Sequence, residues 1–159
     1  TLVADIWGPI SDAGVDPGLV VVEITESSLL RDIPDAALGL AVLREHGVRV
    51  AIDDFGTGYT SLEHLRVLPV DILKIDRSFT IDEDAVSLVR LIIETGHLLG
   101  LRIIAEGVET TEQADRLTEL GSDELQGYLY SRPAPPSELS LDGLLPTSDE
   151  SRRHRLNDA

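Results

Sequence analysis

The segment Gly47-Val-Arg-Val-Ala-Ile-Asp53 and its echo Gly100-Leu-Arg-Ile-Ile-Ala-Glu106 are the strongest indicators of the fold. Each begins with a glycine, continues with an apolar residue, an arginine and three strand-forming residues, and ends with a carboxylate. A glycine in this place is typical of the left-handed turn that ends a helix, and the apolar run after it is typical of a buried strand. The echo therefore predicts equivalent helix–strand units in a radially repeated architecture.

Further apolar runs on either side extend this pattern along the chain. Together with the echo they predict five strands, at Leu19–Ile24, Val48–Ile52, Val70–Ile75, Leu101–Ala105 and, more weakly, Leu125–Tyr130. Helical patterns lie between them, among them a stripe at Ala85, Leu88, Val89 and Ile92 that should face a core. Strands that alternate with helices predict parallel βαβ units, and hence an α/β fold.

The overall composition limits the function classes. The 159 residues are enough for one domain, and 13 basic against 29 acidic residues give a net charge of −16. Such an acidic surface argues against polymeric nucleic acid or an anionic membrane as a broad partner. The absence of cysteine and of an apolar run of spanning length predicts a cytoplasmic protein with no membrane segment. Residues 146–159 are expected to form a disordered polar tail.

Polar or ionisable residues stand at or near the end of each predicted strand. They are Glu23 on the first, Asp53 and Asp54 on the second, Lys74 on the third, Glu106 on the fourth and Gln126 on the fifth. The carboxyl ends of parallel strands share one edge of the sheet, and active sites are built there. We call these six residues the rim.

Four carboxylates at one edge predict a bound cation, because their like charges would otherwise raise some of their pKa values. Ligands that are all oxygen select hard ions such as Mg²⁺, Mn²⁺ or Ca²⁺. The adjacent pair Asp53-Asp54 suits two metal ions bridged by one carboxylate, an arrangement that supports in-line displacement at phosphorus. Lys74, the only lysine, would orient or help to deprotonate the attacking water. The rim therefore predicts metal-dependent phosphoester hydrolysis.

Five linked motifs resemble the EAL domain family of bacterial cyclic-di-GMP phosphodiesterases. They are Glu23-Ile-Thr-Glu26-Ser27, Asp53-Asp54-Phe-Gly-Thr-Gly-Tyr59, Leu73-Lys-Ile-Asp-Arg-Ser-Phe79, Ala105-Glu-Gly-Val-Glu109 and Gln126-Gly-Tyr128. The resemblance covers roughly Leu2 to Leu139 and implies a TIM-like (β/α)₈ barrel. It also implies hydrolysis of cyclic-di-GMP to linear pGpG with Mg²⁺ or Mn²⁺ in a two-metal site.

The resemblance also implies individual roles. Glu23, Asp53, Asp54 and Glu106 match the metal-coordinating carboxylates, so Asp53 and Glu106 count with Lys74 as catalytic. Lys74 matches the lysine beside the hydrolytic water, and Gln126 matches a glutamine at the rim of the active site.

The resemblance also implies supporting roles. Glu26 matches a glutamate that braces the loop after the double aspartate, and Glu109 matches an acidic residue near the metals. The loop Asp54–Ser61 matches a dimerisation element, which implies a homodimer.

The chain also departs from the family pattern. The Glu-Ala-Leu motif that names the family is absent from these residues, as is a metal-binding asparagine expected shortly before Thr1. We therefore expect residues 1–145 to form a partial barrel of about five βα units, within a larger sensor protein or alone. One hypothesis is a phosphodiesterase that is incomplete or weakly active as this chain. A second hypothesis is an inactive module that acts as a cyclic-di-GMP receptor or a protein-interaction domain, and a third is a fragment without activity.

Overall fold

The computed structural model describes residues 2–29, 33–56 and 62–135, so the predicted tail at 146–159 lies outside the described residues. Its centre is a sheet of five parallel strands that follow one another in chain order. The strands are β1 (Val21–Thr25), β2 (Arg49–Phe55), β3 (Ile72–Ile75), β4 (Arg102–Ala105) and β5 (Glu124–Leu125). Strands in chain order, each parallel to the next, are the arrangement of a (β/α)₈ barrel, and the predicted α/β class is confirmed.

Helices precede or connect the strands. They are α1 (Leu2–Ala13), α2 (Glu26–Leu29), α3 (Ile33–Glu45), α4 (Leu62–Val67), α5 (Arg77–Ile81), α6 (Val86–Leu98) and α7 (Thr111–Glu119), with a 3₁₀ turn at Pro17–Leu19 before β1. Within the described part of the chain, no helix has the length and apolar character needed to cross a membrane.

Glycines end the helices that lead into β2 and β4, as the echo predicts. Gly47 has a φ of 93° and Gly100 a φ of 77°, both in the left-handed region that disfavours other residues. In each turn the glycine N–H donates to the carbonyl three residues back, on Arg44 and His97 respectively. The same local chemistry therefore starts both strands of the echo.

The core lies between the sheet and the helices α3, α6 and α7. All four residues of β3 are buried, which is the expected environment for a strand of a parallel sheet covered on both faces. Val89 and Ile92 of α6 are buried as predicted. Leu88 is 45% exposed, so its predicted place in the core is wrong.

The fifth strand is shorter than the predicted Leu125–Tyr130. It ends at Leu125 because the chain then turns, with the N–H of Tyr130 donating to the carbonyl of Gly127. Gly127 lies so close to the main chain of Val108 that a Cβ there would collide with it. Gln126 consequently follows the strand, with its main chain bonded to Ala105 and Val108.

Candidate functional site

Lys74 lies at the centre of the rim. It is the charged residue of the buried strand β3, and its side chain is 4% exposed. Its Nζ lies 2.8 Å from Glu23 Oε1, 3.0 Å from Asp53 Oδ1 and 2.7 Å from Glu106 Oε1. Burial lowers the pKa of the ammonium, but hydrogen bonds to these three carboxylates outweigh burial and raise the pKa overall. Lys74 therefore holds its proton firmly in this arrangement.

A break in strand β2 brings two consecutive aspartates to one site. In a regular strand, neighbouring side chains point to opposite faces, which would separate Asp53 from Asp54. The pairing of β2 with β3 shifts register between Ile52 and Phe55, and Asp54 has a φ of 55°. A non-glycine residue in the left-handed region is uncommon and is often found at functional sites. The shift turns both carboxylates toward the same end of the sheet.

Three carboxylates converge there. Asp53, Asp54 and Glu106 can each present one oxygen within 4.8 Å of the other two. Burial is the main reason that the pKa of Glu106 is raised despite its contact with Lys74. Burial, followed by the charge of Asp53, likewise raises the pKa of Asp54. Burial and, after it, the like charges therefore outweigh the effect of Lys74 on these two pKa values.

This group fits a hard divalent ion. All of its donors are carboxylate oxygens, the ligands that Mg²⁺, Mn²⁺ and Ca²⁺ prefer. Asp53 Oδ1 is a buried atom that lies 3.0 Å from Lys74 Nζ. Glu23 lies against Lys74 and is not part of the three-carboxylate group found in the described residues.

Glu26 is the first residue of α2, directly after β1, and is almost fully buried. Its Oε2 accepts a hydrogen bond of 3.1 Å from the N–H of Gly56, directly after β2. This contact ties Glu26 to the first residue after β2; the bracing role that the resemblance implies for Glu26 stays a prediction. Residues 57–61 of the predicted dimerisation loop lie outside the described residues.

Gln126 and Glu109 line a cleft of about 250 Å³ beside Glu106. Glu109 is held by an ion pair of 2.7 Å between its Oε1 and Arg77 Nη2. Sequence reasoning missed Arg77, which belongs to a recognised motif but received no role there. No local pattern signals its pairing with Glu109, because the two residues lie on different βα units.

Comparison with known proteins places these residues in a family context. The family model for the EAL domain matches residues 6–133. The chain is 42% identical over 142 residues to MucR of Pseudomonas aeruginosa, named a bifunctional diguanylate cyclase/cyclic di-GMP phosphodiesterase. That alignment covers 87% of this chain and 21% of MucR, so the chain spans about a fifth of that relative.

Solved structures agree with this comparison. The PaMucR phosphodiesterase in complex with c-di-GMP superposes with a TM-score of 0.82 at 41% identity, over 87% of this chain and 57% of that one. The EAL domain of Mycobacterium smegmatis DcpA gives a TM-score of 0.80 at 43% identity, over 86% and 63%. Klebsiella pneumoniae BlrP1, solved with manganese and cy-diGMP, gives 0.76 at 32% identity, over 83% and 35%.

Proposed function

Because the chain belongs to the EAL domain family, we propose that its rim hydrolyses one phosphodiester bond of cyclic-di-GMP and releases linear pGpG. The convergence of Asp53, Asp54 and Glu106 around the buried Lys74 is the observation that supports this proposal most directly. In the reaction, the oxygen of a water forms a new bond to phosphorus, one ester P–O bond breaks, and a proton passes to the departing oxygen. Relatives named as cyclic di-GMP phosphodiesterases support the choice of substrate.

We propose Mg²⁺ or Mn²⁺ as the cofactor, in a two-metal site. Such ions, when bound, neutralise phosphate charge and lower the pKa of a bound water. Asp53, Asp54 and Glu106 would hold them, with Glu23 completing the set once it turns from Lys74. BlrP1 structures with calcium and with manganese support a divalent ion in this family, and the all-oxygen donor set supports it in this chain.

The role of Lys74 follows from its charge. Its ammonium lies within 3.0 Å of Glu23, Asp53 and Glu106, and it would orient or help to deprotonate the attacking water. Its three N–H bonds orient Asp53 and Glu106 and place positive charge beside the reacting phosphate. Gln126 would contact substrate from the neighbouring cleft. Glu26 would support the loop after β2, and Glu109 would support the loop after β4.

We also propose that two copies of the chain pair around the segment Asp54–Ser61. Phe55 and Gly56, at its described start, line an apolar groove of about 250 Å³. Leu88 and Leu91, which are 45% and 57% exposed, line the same groove. Burial of these side chains by a second copy would stabilise the pair. Light scattering should show a dimer that Leu91→Asp converts to a monomer, whereas a monomeric parent chain would contradict pairing.

The deciding experiment is chromatographic. The purified chain is incubated with cyclic-di-GMP and Mn²⁺, and the product is separated and identified. We expect pGpG from the parent chain and none from Asp53→Ala. Asp71→Ala, which changes a carboxylate at the opposite end of the sheet, should retain the product.

Each other outcome has a definite meaning. Product that persists in Asp53→Ala would contradict the metal site. Cyclic-di-GMP binding without product, measured by calorimetry on the same sample, would contradict hydrolysis by this chain and assign it as a receptor. The absence of both binding and product would reject the rim as a cyclic-di-GMP site in this chain.

A further inference from the structure

The main chain turns sharply directly after Glu106, where it leaves the sheet. The Glu106 N–H still donates to the carbonyl of Ile75 on β3, at 3.1 Å. The next residue, Gly107, has a φ of 68°, so the chain turns sharply away from the strand. Among the described residues no main-chain N–H donates to the carbonyl of Glu106, so it needs a donor from a side chain, because a buried carbonyl without a partner is unfavourable.

Thr80 supplies that donor. It lies on the short helix α5, is 1% exposed, and its hydroxyl donates to the carbonyl of Glu106. The carbonyl of Arg77, one turn earlier in the same helix, lies 3.0 Å from the same hydroxyl. Threonine in a helix commonly bonds to its own preceding turn. Here the hydroxyl also reaches another βα unit and bonds to the residue that bears a rim carboxylate.

Two neighbours hold α5 in place for this contact. Arg116 on α7 donates from Nη2 to the carbonyl of Thr80, at 2.6 Å. The stem of Arg77 covers Gly107 so closely that a Cβ on that glycine would lie 2.6 Å from the Cβ of Arg77. The Arg77 guanidinium then pairs with Glu109. Helix α5 therefore holds the loop from Glu106 to Glu109 at several points, and the Thr80 hydroxyl is the point nearest to the rim.

We infer that Thr80 is a positioning residue for the reaction, acting through the main chain of Glu106. This inference rests on the proposed function, since it assigns Glu106 to the metal-binding group. With the hydroxyl present, both main-chain polar groups of Glu106 are hydrogen-bonded: its N–H donates to Ile75, and its carbonyl accepts from Thr80. Its carboxylate is then held 2.7 Å from Lys74 Nζ and within reach of Asp53 and Asp54.

The test compares Thr80→Val, which keeps the shape of the side chain but removes the donor, with Thr80→Ser, which keeps the donor. Thr118→Val is the matched control, because the Thr118 hydroxyl also donates to a carbonyl, that of Ala114, but within α7. Free Mn²⁺ is measured by electron paramagnetic resonance, and kcat and KM are measured with cyclic-di-GMP at saturating Mn²⁺. Circular dichroism checks that each variant folds.

We expect Thr80→Val to weaken Mn²⁺ binding and lower kcat about tenfold each, as loss of a group that orients a metal ligand commonly does. KM should change little, because the hydroxyl does not face the substrate cleft. Thr80→Ser and Thr118→Val should stay close to the parent chain. If Thr80→Val does not fold, Thr80→Ser and Thr80→Ala, which differ only by the hydroxyl, make the same comparison.

The inference would be overturned if removal of the hydroxyl left both Mn²⁺ binding and kcat unchanged, or if Thr80→Ser were as impaired as Thr80→Val. A parent chain that binds Mn²⁺ but does not hydrolyse cyclic-di-GMP would contradict the proposed function alone. The inference on Thr80 would then be decided by the Mn²⁺ affinities. A parent chain that binds no Mn²⁺ would overturn both.

Discussion

The two ends of the sheet use charge in opposite ways. At the carboxyl ends of the strands, the rim places four carboxylates around Lys74, and the pKa values of Asp54 and Glu106 are raised. The opposite end carries matched side-chain pairs, among them Arg44 with Asp71 at 2.6 Å and His97 with Asp123 at 3.0 Å, the second an ion pair when His97 is protonated. We call these four residues the floor.

The same hydrogen bond, from a strand N–H to a floor carboxylate, occurs in both halves of the echo. Asp71 accepts a hydrogen bond of 3.0 Å from the N–H of Val50, and Asp123 accepts one of 2.7 Å from the N–H of Ile103. Val50 and Ile103 occupy equivalent positions, three residues after the capping glycines. Each floor carboxylate thus joins a helix end, a strand and the following unit.

The difference in charge between the rim and the floor indicates which end of the sheet serves the reaction and which serves stability. Residues at the carboxyl ends of barrel strands serve chemistry, and those at the other end serve stability. Repulsion between the rim carboxylates destabilises the metal-free chain, but the same carboxylates can bind a metal ion. Compensated charge at the floor stabilises the fold without any ligand. Substitutions at the two ends should therefore separate activity from stability.

The largest effect is expected from Lys74→Met. This substitution removes the buried cation and leaves three carboxylates facing one another, which should lower the free energy of unfolding by about 3 kcal/mol. Arg44→Met on the floor removes an exposed partner, so a loss below about 1 kcal/mol is expected. Urea unfolding of the metal-free chain measures both values, and equal losses would contradict the contrast between the two ends.

Asp53→Asn should separate activity from stability most clearly. As a proposed direct metal ligand, Asp53 should contribute more than the roughly 100-fold effect of groups that only orient a ligand, so kcat should fall by more than about 100-fold. Removal of one rim charge should leave metal-free stability unchanged or slightly raised. Product assays and thermal unfolding are made on the same sample, with Asp71→Asn as the control that keeps its activity. A variant that loses stability and activity together would argue against a rim assembled for metal.

Substitutions in the floor should have the reverse outcome. Asp71→Ala and Asp123→Ala each remove an acceptor from a strand N–H as well as a side-chain partner, Arg44 or His97, and each should lower the free energy of unfolding by about 1–3 kcal/mol. The value of kcat should not change at a temperature at which the variants remain folded. Measurement of Tm and of kcat checks both statements. A fall in kcat that exceeds the unfolded fraction would show that the floor also affects the reaction.

The smallest effect is a pH dependence of opposite sign at the two ends. Burial raises the pKa of Asp123, but the hydrogen bond from Ile103 and the neighbouring His97 and Arg102 outweigh it, so its pKa is lowered overall. A lowered carboxyl pKa contributes stability that is present above the unfolded pKa and lost as the pH falls through the folded one. The raised pKa of Glu106 has the reverse sign, so its contribution to stability decreases as the pH rises from the unfolded pKa through the folded one.

Unfolding of the metal-free chain from about pH 3 to pH 7, a window that spans the ordinary carboxyl pKa values of about 4, measures both effects. Asp123→Asn should reduce the loss of stability on the acid side of that window. Glu106→Gln should reduce the decline on the other side. A Glu106→Gln variant with the same pH profile as the parent chain would contradict a raised pKa of Glu106 in the folded chain.

The sequence by itself determined the fold class and the composition of the rim. Glycine caps, apolar strand runs and helical stripes are local patterns, and each acts over a few residues, so they can be recognised without tertiary structure. The family of the chain followed from five motifs in order. The errors also lay where local patterns are weakest, as at Leu88 and at the end of the fifth strand.

Only the tertiary structure decided how the rim residues meet. Consecutive aspartates in a strand should diverge, and it is the register shift after Ile52 and the left-handed Asp54 that bring them together. The contacts from Lys74 to residues on β1, on β2 and directly after β4, and from the Thr80 hydroxyl to Glu106, likewise join βα units that are distant in sequence. The physical reason is that side-chain direction depends on register, twist and backbone dihedrals, which packing between units sets and which no short stretch of sequence specifies.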